Sequence, residues 1–201
     1  MSYETFSTAK TRLLEKAITA FYAHGYRVLT MASLAELCGV SRRALYHHFP
    51  NKEAVFRATL ALSNQKSMAD AAMGVEAAQA AGASAVDVIA AWFDIRYGAV
   101  RREIAASPHG GEVNETAFRL ASDIMIDYAR ETNRKLERMV ADLVKQERLR
   151  LRPGVTAAKT ARLLADGARG VNQERPPIPD QELAHRYREI TEAILYGCAE
   201  P

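Results

Sequence analysis

Residues 30–53 read T-M-A-S-L-A-E-L-C-G-V-S-R-R-A-L-Y-H-H-F-P-N-K-E. Thr30 is placed to cap a short helix carrying Leu34, Leu37 and Cys38, Gly39-Val40 makes a tight turn, and Ser41 caps a further helix over roughly 42–48. Two short helices hinged at a glycine form a helix-turn-helix. Within the second of them Leu45 and Phe49 fall four apart and can face a core, which leaves Arg42, Arg43, Tyr46 and His47 pointing outward together. Arg42 and Arg43 stand in the first turn of this helix and Lys52 in the first turn of the next, where the helix dipole is already positive and each cation costs ~0.3–1 kcal/mol. That placement makes sense if a phosphate fills the space, because backbone amides and cations then converge on it. Tyr46 can donate to the same phosphate backbone, and an arginine here can reach guanine O6 and N7.

Upstream, Leu14, Ala17, Ile18 and Phe21 recur at spacings of three and four, which predicts a helix over roughly 8–24 that Gly25 stops. Downstream, Pro50 ends the third helix and Asn51 caps a fourth, from about 52 to the low seventies, with Val55, Leu60 and Leu62 turning the chain toward a second domain. Charge supports a polyanion partner for this end: residues 1–60 carry eight Lys/Arg against four Asp/Glu, whereas the remainder carries nineteen against twenty. A merely solvated basic face would give a similar count, so the charge weighs only beside the motif.

Beyond the fourth helix the pattern stays helical, with no alternating run long enough for a sheet. Residues 71–83, rich in alanine and glycine, read as a small-residue connection. Ser84 with Asp87 resembles a capping box opening a helix to about 106, apolar on more than one face and so surrounded by others. After Pro108-His109-Gly110-Gly111 one long helix is predicted from about 114 to 149, and Arg148, Arg150 and Arg152 at its end are either a nucleic-acid patch or cations suited to a helix C-terminus. Two last helices follow, about 156–171 behind Thr156 and about 180–198 behind Asp180, joined by E-R-P-P-I-P. Ala157, Ala161, Leu164, Ala165 and Ala168 form a stripe on one, Leu183, Tyr187, Ile190 and Ile194 on the other; a four-helix dimer interface and ordinary intrachain packing explain these stripes equally.

Several classes are excluded. No apolar run approaches the ~20 residues of a membrane span and the N-terminus lacks a signal-peptide hydrophobic region, so the expected compartment is the cytoplasm with no membrane partner. Cys38 and Cys198 make neither a disulfide framework nor a metal knuckle; both read as reduced and structural, and Cys38 as a small apolar filler of the second helix rather than a redox sensor. Adjacent His47 and His48 cannot share a helix face, so no metal site and no cofactor is expected. H-G-G-E at 109–112 has the look of an oxyanion loop, yet no G-x-S-x-G, H-E-x-x-H or phosphate loop accompanies it, and no enzyme is expected.

The stretch G-Y-R-V-L-T followed by L-A-E-L-C-G-V-S-R-R-A-L-Y-H-H-F-P-N-K-E-A-V resembles the N-terminal DNA-binding domain of TetR-family regulators over roughly residues 10–60, and R-L-R-P-G-V-T with A-A-K-T-A-R-L-L-A-D-G resembles, more weakly, the entry to that family's penultimate helix. The resemblance implies an all-α chain of about nine helices, with a three-helix DNA-binding domain over 1–52 and a helical effector-binding and dimerisation domain over 53–201. It implies that Thr30, Tyr46, His48 and Lys52 hold the phosphate backbone, that Ser41 caps the recognition helix near it, and that Arg42, Arg43, Ala44 and His47 face base edges. Departures are Leu29 where a small hydroxyl or alanine is common, Cys38 where alanine is usual, and Ala32 where some members carry a base-reading side chain. The implied partners are double-stranded DNA bearing a palindromic operator, a second copy of the chain joined through the last two helices, and a small-molecule effector. An effector pocket is expected between the helix near 84–106 and the helix from 114, with Trp92, Arg96, Phe118, Ser122 and Met125 as its walls and polar handles, although Trp92, Phe118 and Met125 also suit plain core. The alternative is a dimeric DNA-binding regulator whose C-terminal domain takes no small molecule.

Overall fold

The computed structural model describes residues 7–174 and 178–199; residues 175–177 of the expected proline-rich join lie outside the described residues. Helix α1 (Thr8–His24) starts at Ser7, whose hydroxyl accepts from the Lys10 amide, and stops at Gly25, whose φ of 83° a side chain would strain. Helix α2 (Met31–Cys38) opens on a reciprocal box between Thr30 and Ser33 and closes on Gly39 in the left-handed region. Ser41 caps α3 (Arg42–His48), and Asn51 Oδ1 accepts from the Ala54 amide at 2.8 Å to open α4 (Lys52–Ala80). These short-range signals act as expected.

Helix α4 is longer than predicted. The connection expected over 71–83 is helix as far as Ala80, with Gly82 at φ 74° as the turn. Alanine is the strongest helix former, and nothing before Gly82 interrupts the ladder, so small residues here extend the helix.

Ser84 Oγ accepts from the Asp87 amide at 3.1 Å and opens α5 (Ala85–Phe93), which runs through a π-helical turn (Asp94–Gly98) directly into α6 (Ala99–Ala106). Helices α7 (Gly110–Leu120), α8 (Ser122–Lys145), α9 (Ala157–Gln173) and α10 (Asp180–Cys198) complete the chain. With α5 to α6 counted as one rod, the described residues form nine helices.

The single helix predicted over 114–149 is instead two, starting at Gly110, broken at Ala121 and ending at Lys145. In an unbroken helix the Leu120 carbonyl would accept from the Ile124 amide. The Arg57 guanidinium donates to that carbonyl instead, and grips Asp123 through two further bonds of 2.9 and 2.6 Å. A tertiary contact thus overrides a helical sequence. Asp180 is likewise not a cap: it is the first residue of α10 and accepts from Arg102 Nε at 2.5 Å.

The chain forms two compact units, the first made of residues up to Lys66 with Glu103–Ile126, the second of Ser67–Arg102 with the chain from Asp127 onward. The first unit buries Leu14, Phe21, Leu34, Leu45, Phe49, Val55 and Phe56 together with Val113 and Ala117 of α7 and Ala121 just after it. Phe21 and Phe56 meet edge to face at 5.1 Å between ring centres. The second unit closes around Trp92, Phe93, Leu136, Val140, Leu143, Leu164 and Tyr187. Its α9 and α10 approach so closely at Gly167 that an added Cβ would lie 2.8 Å from both Ile190 and Ile194. Ala161, Leu164, Ala165, Ala168, Leu183 and Tyr187 are buried in this core, while Ala157, Ile190 and Ile194 of the same stripes are only partly buried against it.

Arg148 and Arg152 serve the second unit's backbone. Arg148 donates to the Ala83 carbonyl, and Arg152 to the carbonyls of Ala199 at 2.8 Å and Tyr196 at 3.0 Å, beyond the end of α8. Among the described residues no helix is long and apolar enough to cross a membrane.

Candidate DNA interface

The candidate surface is built from the first unit. Leu45 and Phe49 are buried, at 0% and 4% exposure, and fix the rotation of α3. Arg42, Arg43, Tyr46, His47 and His48 are in consequence all exposed, with Ala44 half-buried among them. The Arg42 guanidinium lies 5.5 Å from the centre of the Tyr46 ring, one turn along, so a cation and an aromatic hydroxyl form one stacked platform. His47 and His48 rings stand 5.4 Å apart, and among the described residues no group of three His, Cys, Asp or Glu side chains could hold a metal ion.

Thr30 and Ser41 sit exposed at the entrances of α2 and α3. The Ser41 oxygen accepts from the Ala44 amide at 3.1 Å, which leaves its proton available to an acceptor outside. Thr30 Oγ1 accepts from the Ser33 amide at 3.1 Å and exchanges a hydrogen bond with the Ser33 hydroxyl at the same distance. Both hydroxyls therefore hold a helix start in place beside the surface that α3 presents.

Lys52 is placed differently from the rest. Its ammonium turns inward, donating to the carbonyls of Leu29 at 2.6 Å and Tyr26 at 2.7 Å, with Arg27 at 3.4 Å, and it lies 4.3 Å from the centre of the Tyr26 ring. Desolvation lowers its pKa, an effect the nearby Glu112 carboxylate opposes. Leu29, a departure from the family pattern, is 5% exposed and fills the core beneath this turn. Cys38 is equally internal: its thiol faces the Leu13 carbonyl at 3.8 Å and burial raises its pKa, as suits a packing residue.

Two further side chains, one beside α3 and one at the α1–α2 turn, had no place in the interface as read from the sequence. Lys10 lies with its ammonium 5.2 Å from the Phe49 ring centre, beside the end of α3. Glu112 accepts from the Arg27 amide at 2.7 Å. Only a three-dimensional fold brings residues so far apart in sequence together.

The five residues expected to line an effector pocket are divided: Trp92 and Arg96 lie in the second unit, Phe118, Ser122 and Met125 in the first. Trp92 is core at 1% exposure, whereas Phe118 is 54% exposed. Arg96, in the π-helical turn, is 5% exposed, with Nε 3.1 Å from Met68 Sδ, Nη1 3.1 Å from Ser67 Oγ and its guanidinium 5.1 Å from the Tyr97 ring centre.

Residues 13–59 match the family described as bacterial regulatory proteins, tetR family. The repressor ComR of Escherichia coli is 45% identical over 47 residues, 23% of this chain and 22% of that protein. The regulator TtgR of Pseudomonas putida is 40% identical over 57 residues, 28% of this chain and 27% of that protein. The match thus spans about a quarter of the length of these curated relatives. Likeness in structure extends much further: a transcriptional regulator from Cytophaga hutchinsonii superposes with a TM-score of 0.68 at 15% identity, covering 94% of this chain and 97% of that one. A TetR-family regulator from a Rhodococcus species gives 0.63 at 19% identity, covering 94% and 100%, and SmeT in complex with triclosan gives 0.62 at 19%, covering 96% and 93%. Residues 13–59 thus match the tetR family of bacterial regulatory proteins, and the chain as a whole shares the fold of these solved regulators.

Proposed function

We propose that this protein is a ligand-responsive transcriptional repressor of the cytoplasm, a homodimer joined through α9 and α10 that binds a palindromic operator and leaves it when a small molecule binds. The observation that carries the reading is the outer face of α3. Arg42, Arg43, Tyr46, His47 and His48 are all exposed there on a helix whose other side is locked into the core. Arg42, Arg43, Ala44 and His47 face base edges in the major groove, while Thr30, Ser41, Tyr46 and His48 meet the phosphates.

The second unit reads the effector. A buried arginine in a π-helical turn, four residues after the buried Trp92, supports this, because such turns recur at functional sites. SmeT, a structural neighbour, binds triclosan. Helix α4 runs unbroken from the first unit into the second, so a ligand preferring one of two arrangements of that helix shifts DNA affinity by linkage.

Hydroxyl-radical footprinting on a duplex selected by the full-length protein from a randomised library tests the DNA half. Two protected half-sites on one face of the duplex, one helical turn or more apart, are expected. A single half-site held by a stable monomer would overturn it. For the effector half, a thermal-shift screen finds compounds that raise the melting temperature by mass action, and at least one of these must release the selected duplex. Binders that never release it favour a regulator without an effector.

A further inference from the structure

The turn between α1 and α2, residues 25–29, delivers Thr30 to the start of α2 and so sets where the helix-turn-helix begins. A turn has no repeating ladder of its own, and its peptide groups need partners from elsewhere. On one side the carbonyls of Tyr26, Arg27 and Leu29 converge on the Lys52 ammonium of α4. On the other, the Arg27 amide donates to Glu112 of α7 at 2.7 Å. His109 completes the second side, with its amide donating to the Tyr22 carbonyl at 3.3 Å and its Nδ1 3.5 Å from Glu112 Oε2. These two side chains fill the space over Gly25, where an added Cβ would lie 2.5 Å from Glu112 Oε2 and 3.0 Å from His109 Nδ1. The H-G-G-E stretch is therefore the foot by which α7 stands on the turn.

An ammonium has three protons, and three carbonyl oxygens are gathered around this one. We propose that Lys52 and Glu112 are positioning residues for DNA recognition, clamping the α1–α2 turn from its carbonyl and its amide side, and that Lys52 makes no contact with phosphate. This rests on the DNA-binding reading above and departs from the role that the family resemblance gives Lys52. Charge makes the two roles separable. A phosphate-binding lysine adds to the salt dependence of binding and is well replaced by arginine, whose fork suits phosphate; a carbonyl-caging lysine does neither, because the larger planar guanidinium does not fit a cage formed around a compact ammonium. A carboxylate near DNA repels it, so loss of Glu112 should tighten binding unless Glu112 holds something in place.

The test measures affinity of the full-length protein for the selected duplex across a salt series. Wild-type binding no tighter than to random duplex would sink the DNA-binding reading itself, whatever the variants do. Given wild-type binding, Lys52→Arg and Lys52→Met should each weaken it by at least about tenfold with the slope of log affinity against log salt unchanged. A slope reduced by about 0.9 in Lys52→Met and restored in Lys52→Arg would put Lys52 on a phosphate and overturn the proposal. Glu112→Ala should weaken binding by about tenfold despite removing a negative charge, whereas Glu112→Gln, which keeps an acceptor for the Arg27 amide, should stay within about twofold. Equal or tighter binding by Glu112→Ala would refute the clamp. Should the Lys52 variants fail to fold, the ammonium nitrogen resonance of wild-type Lys52 decides: it is expected to be unmoved by the duplex, and a shift on binding would place it against DNA.

Discussion

Adjacent glycines at the start of α7 should respond to the same substitution with opposite signs. At Gly110 an added Cβ would lie 1.9 Å from the Ile104 carbonyl oxygen and 2.7 Å from its carbon, both backbone atoms, whereas at Gly111 nothing stands within 4 Å. A Cβ does not approach a heavy atom closer than 3.0 Å, so Gly110→Ala must drive α7 away from the end of α6 by about an ångström. Overpacking against movable side chains costs roughly 1–3 kcal/mol. With backbone on both sides nothing can swing aside, which puts this case at about 3 kcal/mol, or a fall in melting temperature of roughly 6–12 °C for a chain of this size. Gly111→Ala, by contrast, removes unfolded-chain entropy and should stabilise by roughly 0.4–1 kcal/mol. Thermal melts followed by circular dichroism, with urea titrations beside them, compare the two. If Gly110→Ala melted with the wild type, or if Gly111→Ala fell as far, the close approach of α7 to α6 would be wrong.

Arg57 holds Asp123 well below the usual carboxylate range, at about 2, so the pair's contribution is complete above the ordinary value of 3.8 and is lost as pH falls through about 2. Since Asp123 is 64% exposed, solvent screening reduces that contribution to about 1 kcal/mol, and Asp123→Asn should flatten the acid limb of a stability-against-pH curve without moving its neutral plateau by more than that. Arg42→Ala and Arg43→Ala should each cost roughly 1–3 kcal/mol at mainly one base pair of the selected duplex, while Tyr46→Phe should weaken all sequences alike; uniform losses for both arginines would reassign them to the phosphate backbone. Phe118→Ala, at an exposed site, should leave the stability within about 0.5 kcal/mol of wild type, whereas Arg96→Ala should destabilise the second unit measurably, and the reverse order would contradict their burial.

The reading head was legible because its signals are short-range. Thr30, Ser41 and Asn51 cap helices by reaching three residues ahead, and Gly25 and Gly39 stop helices through their own backbone angles. Where a distant group intervenes, local pattern fails. The break at Ala121 depends on Arg57, sixty-three residues before Leu120 in the chain, and the inward turn of Lys52 depends on carbonyls more than twenty residues away. The π-helical turn at Asp94–Gly98 left no trace in periodicity, since it inserts one residue into an otherwise helical run. The stripes of α9 and α10 were legible as apolar faces, but a stripe does not name what covers it: most of their residues lie in the chain's own core, and Ala157, Ile190 and Ile194 are only partly buried.

The first unit's core is closed by Val113, Ala117 and Ala121, which follow Lys66 in the chain by roughly half a hundred residues. During synthesis the helix-turn-helix therefore emerges with part of its apolar surface uncovered and waits for residues up to 126, about 3–12 s at usual elongation rates of ~5–20 residues per second. A chimaera that exchanged N-terminal segments between two chains at residue 52 or 66 would close the new core with the other chain's residues 103–126, which were not selected to pack against it. The unit of exchange is discontinuous, and recombination that respects it must move residues 103–126 along with the N-terminal segment.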